Sequence, residues 1–173
     1  MSDDFRNDPI LGRAFDYWDG KRAGRAMPRR RDIAPVEIPR LLPHLVINEF
    51  VDAGARIKLR LVGTAIVATY GADYTGKFFD EVFGGERLHY LEEKYRLMSR
   101  ERRPIFMITR YVSRRNVDLV CRRIVLPLSD NDRDVNQALA AMSFQFPGEP
   151  SAVTAGQWTS EFDPAYASCE VIR

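Results

Sequence analysis

The chain has 173 residues, 45% apolar and 29% charged, which suits one globular domain with a real core. A formal net charge of +2 gives no general electrostatic footprint for nucleic acid. Two cysteines, Cys121 and Cys169, are too few for a disulfide framework or a thiolate metal site. No apolar run approaches the roughly 20 residues of a membrane span. The opening Met1-Ser-Asp-Asp-Phe5 lacks the basic-then-apolar pattern of a signal peptide, so a cytoplasmic location is expected.

Residues 1–7 are polar and are expected to be a mobile terminus. A first helix is predicted over residues 8–24, with Asp8 as N-cap and Pro9 at the first helical position. Leu11, Phe15 and Trp18 recur at i, i+4 and i+7, with Ile10, Ala14 and Tyr17 on the adjoining face. So wide an apolar surface on a short helix needs a cover. That cover is either its own sheet or a second copy, and we take Ile10, Leu11, Phe15 and Trp18 as a candidate dimer interface. Residues 25–43 are irregular, because Pro28, Pro35, Pro39 and Pro43 deny them a long helix or a central strand. Arg29-Arg30-Arg31 reads there as a solvated basic turn.

Leu45 to Val51 is predicted as a strand and Asp52-Ala-Gly-Ala55 as the turn into a second. In Arg56-Ile-Lys-Leu-Arg-Leu-Val62 the residues Ile57, Leu59 and Leu61 alternate with Arg56, Lys58 and Arg60. Gly63-Thr64 breaks the alternation, and Thr64 is read as the cap of a short apolar helix through Tyr70 that ends at Gly71. An aromatic cluster, Phe78, Phe79, Val82 and Phe83, leads to the longest helix, about Glu86 to Arg102. Its stripe is Leu88, Leu91, Tyr95 and Met98, with Glu92 and Arg96 paired on the wet side. Pro104 stops it. Three further strands are predicted at Ile105–Val112, Val117–Leu128 and Val135–Phe146, joined by short links of turn formers and therefore antiparallel. Residues 147–173 read as a polar tail.

Strands, then a helical block, then strands argue for an α+β domain over residues 25–146 with helices on one face of an antiparallel sheet. In that order, and in several motifs, the chain resembles a PAS domain. More narrowly it resembles the stand-alone PAS family of alphaproteobacteria long catalogued as a domain of unknown function. The motifs are Trp18 and Arg22, Pro28-Arg-Arg-Arg31 into Asp32-Ile33-Ala34-Pro35, Leu41-Leu42-Pro43 and Arg60-Leu-Val-Gly-Thr64. Gly71-Ala-Asp-Tyr-Thr-Gly76, Pro104 and Leu126-Pro-Leu-Ser129 complete them, over roughly residues 10–146. The last hairpin departs from the family's Asp-Gly pair and reads Asp130-Asn-Asp-Arg133, where Asn131 can still adopt a left-handed turn. The resemblance implies a five-stranded antiparallel sheet whose first two strands lie beside the last, and a sensory or interaction role in signalling. It implies homodimerisation through the N-terminal helix and a protein signalling partner.

The resemblance supplies no ligand. A pocket between sheet and long helix would be lined by Leu61, Tyr70, Leu91, Tyr95, Met98, Ile108, Met142 and Phe144, residues that also suit a filled core. Neighbours on a strand face opposite ways, so one of Arg122 and Arg123 points inward, and Arg122 is placed in the candidate pocket. An inward guanidinium without an acid partner calls for an anion. His89 stands where haem-binding PAS domains place their iron ligand, but it falls off the apolar stripe, so no cofactor is assigned. No metal site, no nucleotide loop and no Ser-His-Asp or HExxH pattern is present. The expectation is a non-enzymatic regulatory module acting by protein contact, with small-molecule sensing as the alternative and nucleic-acid binding through the paired arginines disfavoured.

Overall fold

In this computed structural model the described residues are 5–113, 118–146 and 160–172. The first helix, α1 (Pro9–Lys21), starts as the sequence predicts: the Ile10 and Leu11 N–H groups donate to the Asp8 carboxylate at 3.0 and 3.1 Å. Two strands follow, β1 (Leu45–Val51) and β2 (Arg56–Val62), then α2 (Thr64–Tyr70), α3 (Phe79–Val82) and α4 (Gly85–Glu101). The chain returns as β3 (Ile105–Ser113), β4 (Asp118–Leu128), β5 (Gln137–Gln145) and β6 (Ser160–Val171). The α+β class, and the element order as far as β5, are those the sequence predicts.

One antiparallel sheet runs in the order β2-β1-β5-β4-β3-β6. It has six strands, one more than expected, because Ser160–Val171 of the supposed tail pairs along β3 from Val171 opposite Ile105 to Ser160 opposite Ser113. Its signal is weak because Pro164 and the acidic residues Glu161, Asp163 and Glu170 interrupt any apolar run. Residues 5–7 are likewise not a mobile terminus. They form a 3-10 turn whose Phe5 is buried, its ring centroid 5.1 Å from that of Phe15 and 6.0 Å from that of Phe106.

The sheet is covered on both faces. On one side lies α1: the Trp18 indole donates to the Pro127 carbonyl at 2.8 Å, and the Ser143 hydroxyl donates to Asp8 at 2.5 Å. On the other side lie α2 to α4, tied down where the Tyr95 hydroxyl donates to Asn48 at 3.0 Å and the Tyr90 hydroxyl to the Ser168 carbonyl at 2.9 Å. This corrects the candidate dimer interface. Leu11, Phe15 and Trp18 are 0%, 8% and 2% exposed within a single chain, so the cover of α1 is its own sheet, and only Ile10 keeps partial exposure.

Gly63 joins β2 to α2 at a point where no side chain fits. A Cβ there would sit 2.3 Å from the Pro43 carbonyl oxygen and 2.5 Å from that of Leu42. Gly63, not Thr64, is consequently the N-cap of α2, and its N–H donates to the Leu45 carbonyl at 2.8 Å.

Two substitutions test this packing. Gly63→Ala is expected to cost about 3 kcal/mol or more in urea unfolding, since backbone must move to admit the methyl group, whereas Gly20→Ala, with open space around it, should be neutral or stabilising by a few tenths of a kcal/mol. Trp18→Ala should cost about 3–5 kcal/mol by the same measurement, an outcome a solvent-facing tryptophan would not produce.

Candidate functional site

The side chains of β1, β4 and β5 that do not face α1 point to a cavity of about 30 Å³ beneath α2, α3 and α4. That is room for roughly two water molecules. Val46 and Asn48 of β1, Arg123 of β4 and Met142 of β5 form its floor, with Leu59 and Val62 from β2. Ile66 and Tyr70 of α2, Tyr74, Phe79 of α3, Phe83, and Tyr95 of α4 form its walls and roof. Most of this surface is apolar, and the polar groups are few and specific.

Asn48 is fully buried and Arg123 is 5% exposed. The Asn48 carbonyl oxygen accepts from Tyr95, but its amide nitrogen, the Arg123 Nε and the Tyr70 hydroxyl are buried without a hydrogen-bond partner. Burial works against the Arg123 charge, while Tyr95, Cys121, Tyr70 and Tyr111 around it hold its pKa above the ordinary value. The guanidinium is therefore a fixed cation, and among the described residues no carboxylate pairs with it. Burial also pushes the Tyr70 and Tyr95 hydroxyls upward, so both are protonated donors at neutral pH.

A second guanidinium lies just outside. Arg87, in the first turn of α4, sits 4.4 Å from the Phe83 ring centroid, 4.5 Å from that of Tyr111 and 5.4 Å from that of Tyr70. Its Nε and one terminal nitrogen are buried without a hydrogen-bond partner. Cation–π attraction to three rings compensates part of that desolvation. Phe83 lines both the cavity and a surface cleft of about 430 Å³, whose walls include Arg87, Glu86, Glu161 and Phe162.

A sheet with this strand order, a helical crossover above it and a cavity between them matches a protein-family model described as PAS domain over residues 7–143. The chain belongs to the PAS domain family. No curated protein matches it. No helix among the described residues is long and apolar enough to cross a membrane.

Within this PAS domain, Tyr70, Tyr95 and Met142 of the predicted pocket residues lie on the cavity wall. Leu91 and Met98 are fully buried on α4 but belong to the core beside the cavity, and Phe144 packs edge-on against Tyr70 at 5.7 Å. Three placements are corrected. Leu61 is 41% exposed, because the register between β1 and β2 passes from Ile47 opposite Leu61 to Asn48 opposite Leu59. Arg60 is the extra residue of a bulge, and after it Val62 takes the inward position. Ile108 and Arg122 face α1: Ile108 alternates with Met107 and Thr109, and Arg122 lies 3.7 Å from Asp8 with its guanidinium 5.5 Å from the Phe106 ring centroid. The inward arginine of the pair is Arg123.

Asn48 and Arg87 escape the sequence reading, which names Arg123 as one of two inward candidates but places Arg122 in the pocket. An asparagine inside Leu45-Val-Ile-Asn-Glu-Phe50 was the available signal, since a polar side chain amid buried strand residues needs a polar reason. His89 is exposed on α4, and Cys121 is buried, while Cys169 is half-buried with its thiol pushed up to about 11 by burial. The Cys169 thiol therefore lacks the lowered pKa of a reactive cysteine. Among the described residues no group of three His, Cys, Asp or Glu is placed to hold a metal ion. In the arginine run Arg29 pairs with Asp132 at 3.0 Å while Arg31 is exposed, and nearby Arg25 pairs with Asp32 at 2.6 Å. Arg114 and Arg115 lie outside the described residues.

A buried cation without an acid partner lowers stability. Arg123→Met, which keeps the length of the side chain and removes the charge, is therefore expected to stabilise the unliganded protein by about 1–3 kcal/mol in chemical denaturation. A loss of stability instead would assign Arg123 to the structural core.

Proposed function

We propose that this PAS domain is a non-catalytic signalling module that senses a small molecule held between the sheet and α2 to α4, and passes the change to a protein partner. The observation that carries this reading is the group of three polar atoms left unpaired around one cavity: Arg123 Nε, Asn48 Nδ2 and Tyr70 Oη. Buried polar groups are satisfied in the large majority of folded proteins, and a core that was only packing would place apolar side chains at these positions. Membership of the PAS family supports a regulatory or sensory role on its own account.

The roof offers a means of response. α2 has seven residues and α3 four, too short to be stable without tertiary packing. Gly71 and Gly76, at φ of 76° and 86°, flank the link between them. A guest larger than two waters requires these elements to move outward, which changes the surface that a signalling partner meets. Association through the apolar stripe of α1 is not part of the proposal, because that stripe covers its own sheet.

Native mass spectrometry of the purified protein, equilibrated with a small-molecule extract of the producing cells, tests the reading. The wild type is expected to carry added mass, and Val62→Phe, which fills the cavity from its rim, is expected to remain folded and carry none. A wild-type mass equal to the bare polypeptide after such equilibration would remove the sensor reading.

A further inference from the structure

We propose that the ligand of this cavity is a small carboxylic acid with a compact apolar body, its carboxylate held by Arg123. The inference rests on the sensor reading and adds the chemical class of the ligand.

The unpaired atoms have a common sense. Arg123 Nε and Asn48 Nδ2 are donors only, and the Tyr70 hydroxyl is free to donate. What the cavity lacks is an acceptor, and what its cation lacks is a negative charge. A carboxylate supplies both at once, with two oxygens, no donor of its own, and a planar edge that matches the guanidinium fork. Its single charge also balances the single guanidinium that lines the cavity.

The rest of the lining defines the body of the ligand. Leu59, Val62, Ile66, Phe79 and Met142 offer no hydrogen-bonding side chain opposite the polar group. A phosphate would leave oxygens against these walls, and a sugar would leave hydroxyls there, each at the cost of an unmet polar group. A short branched or aromatic carbon skeleton leaves none. The present volume of about 30 Å³ holds roughly two waters, so even a small acid requires α2 and α3 to shift outward, which keeps the body compact.

Arg87 gives the acid a way in. It lies between the surface cleft and the cavity, stacked on Phe83 and Tyr70, which are both cavity residues. Glu86 and Glu161 line the same cleft, so Arg87 draws an anion at short range, where it is stacked against the cavity rings, and not by long-range steering. Arg87 is thus assigned to capture and Arg123 to retention.

The experiment is thermal melting of the full chain with acetate, isobutyrate and benzoate, each beside its neutral amide, at constant ionic strength. At least one acid is expected to raise the melting temperature with saturation, since a ligand that binds only the folded state stabilises it, while the matching amide does not. Arg123→Met is expected to fold and to weaken that response about tenfold or more, the worth of a charge-assisted hydrogen bond. Arg87→Met should weaken it less. An unchanged acid response in Arg123→Met overturns the proposal, because the acid then binds elsewhere. Amides that act as strongly as acids, with both effects lost in Val62→Phe, overturn the anion assignment and leave the sensor reading standing. No response to any acid, together with a bound neutral compound in native mass spectrometry, does the same. No response and no bound mass remove both.

Discussion

The constraint on which the rest depends is that the central strands are buried on both faces. β4 and β5 have α1 on one side and the cavity with its helical roof on the other, so nearly every side chain along their middle enters one interior or the other. For apolar residues the choice matters little. For the consecutive arginines Arg122 and Arg123 it decides everything, because strand geometry sends them to opposite interiors. Arg122 arrives beside Asp8, the acid that also caps α1 and accepts from Ser143. Arg123 arrives among Tyr70, Tyr95 and Asn48, where the described residues supply no acid. The two environments share one strand and one residue type, and differ only in parity.

The order of elements was legible because its signals are local. The Asp8-Pro9 cap, the 3.6-residue stripe of α4, the turn residues between strands and the stop at Pro104 each depend on a few neighbouring residues. Parity in β4 was not legible, and for a physical reason. Leu119-Val-Cys-Arg-Arg-Ile-Val-Leu126 has no apolar-polar alternation, since a strand covered on both sides has no wet face to mark. β2 did alternate, and the reading of Leu61 still failed, because the bulge at Arg60 resets the phase without any sequence mark such as a glycine. β6 was hidden for another reason: its residues pair with β3 across the chain, from Ser113 with Ser160 to Ile105 with Val171, and pairing at such separations leaves no local pattern. In α1 the apolar face itself was read correctly; what covers such a face is not written in the helix.

The cavity shows how small a departure from packing can be and still carry chemistry. Its volume is near the lower limit for trapped water, and most of its wall is ordinary core. The departure lies in its polar groups. Net stability of a domain is only about 5–15 kcal/mol, so a buried cation with no acid partner is a considerable fraction to forgo. Local inconsistencies of this kind, where a rule of core packing is broken with no gain elsewhere in the fold, collect at functional sites. The α1 face is not free of the same strain, since Arg122 Nε is also buried without a hydrogen-bond partner, but Arg122 has the Asp8 carboxylate 3.7 Å away and Arg123 has no carboxylate among the described residues.

Floor and roof also differ in how they can respond. The floor is the middle of the sheet, where β5 is hydrogen-bonded to β1 on one side and β4 on the other. Opening it would break ladders along its whole length. The roof over the same space is α2 and α3, two short helices joined by a link with left-handed glycines, and α3 is held to the edge strand β2 by the Lys58–Phe78 bridge, the backbone bonds of Leu59 with Lys77 and Gly76, and the Arg56–Asp80 ion pair. Local unfolding free energies follow such differences in contact and hydrogen bonding, with loops and lids at the low end. A charge satisfied or left unsatisfied at Arg123 acts on floor and roof alike, through Tyr95 and Tyr70, but only the roof can yield to it. Of the elements around the cavity, α2 and α3 are therefore the ones the architecture leaves easiest to displace, on the face opposite α1.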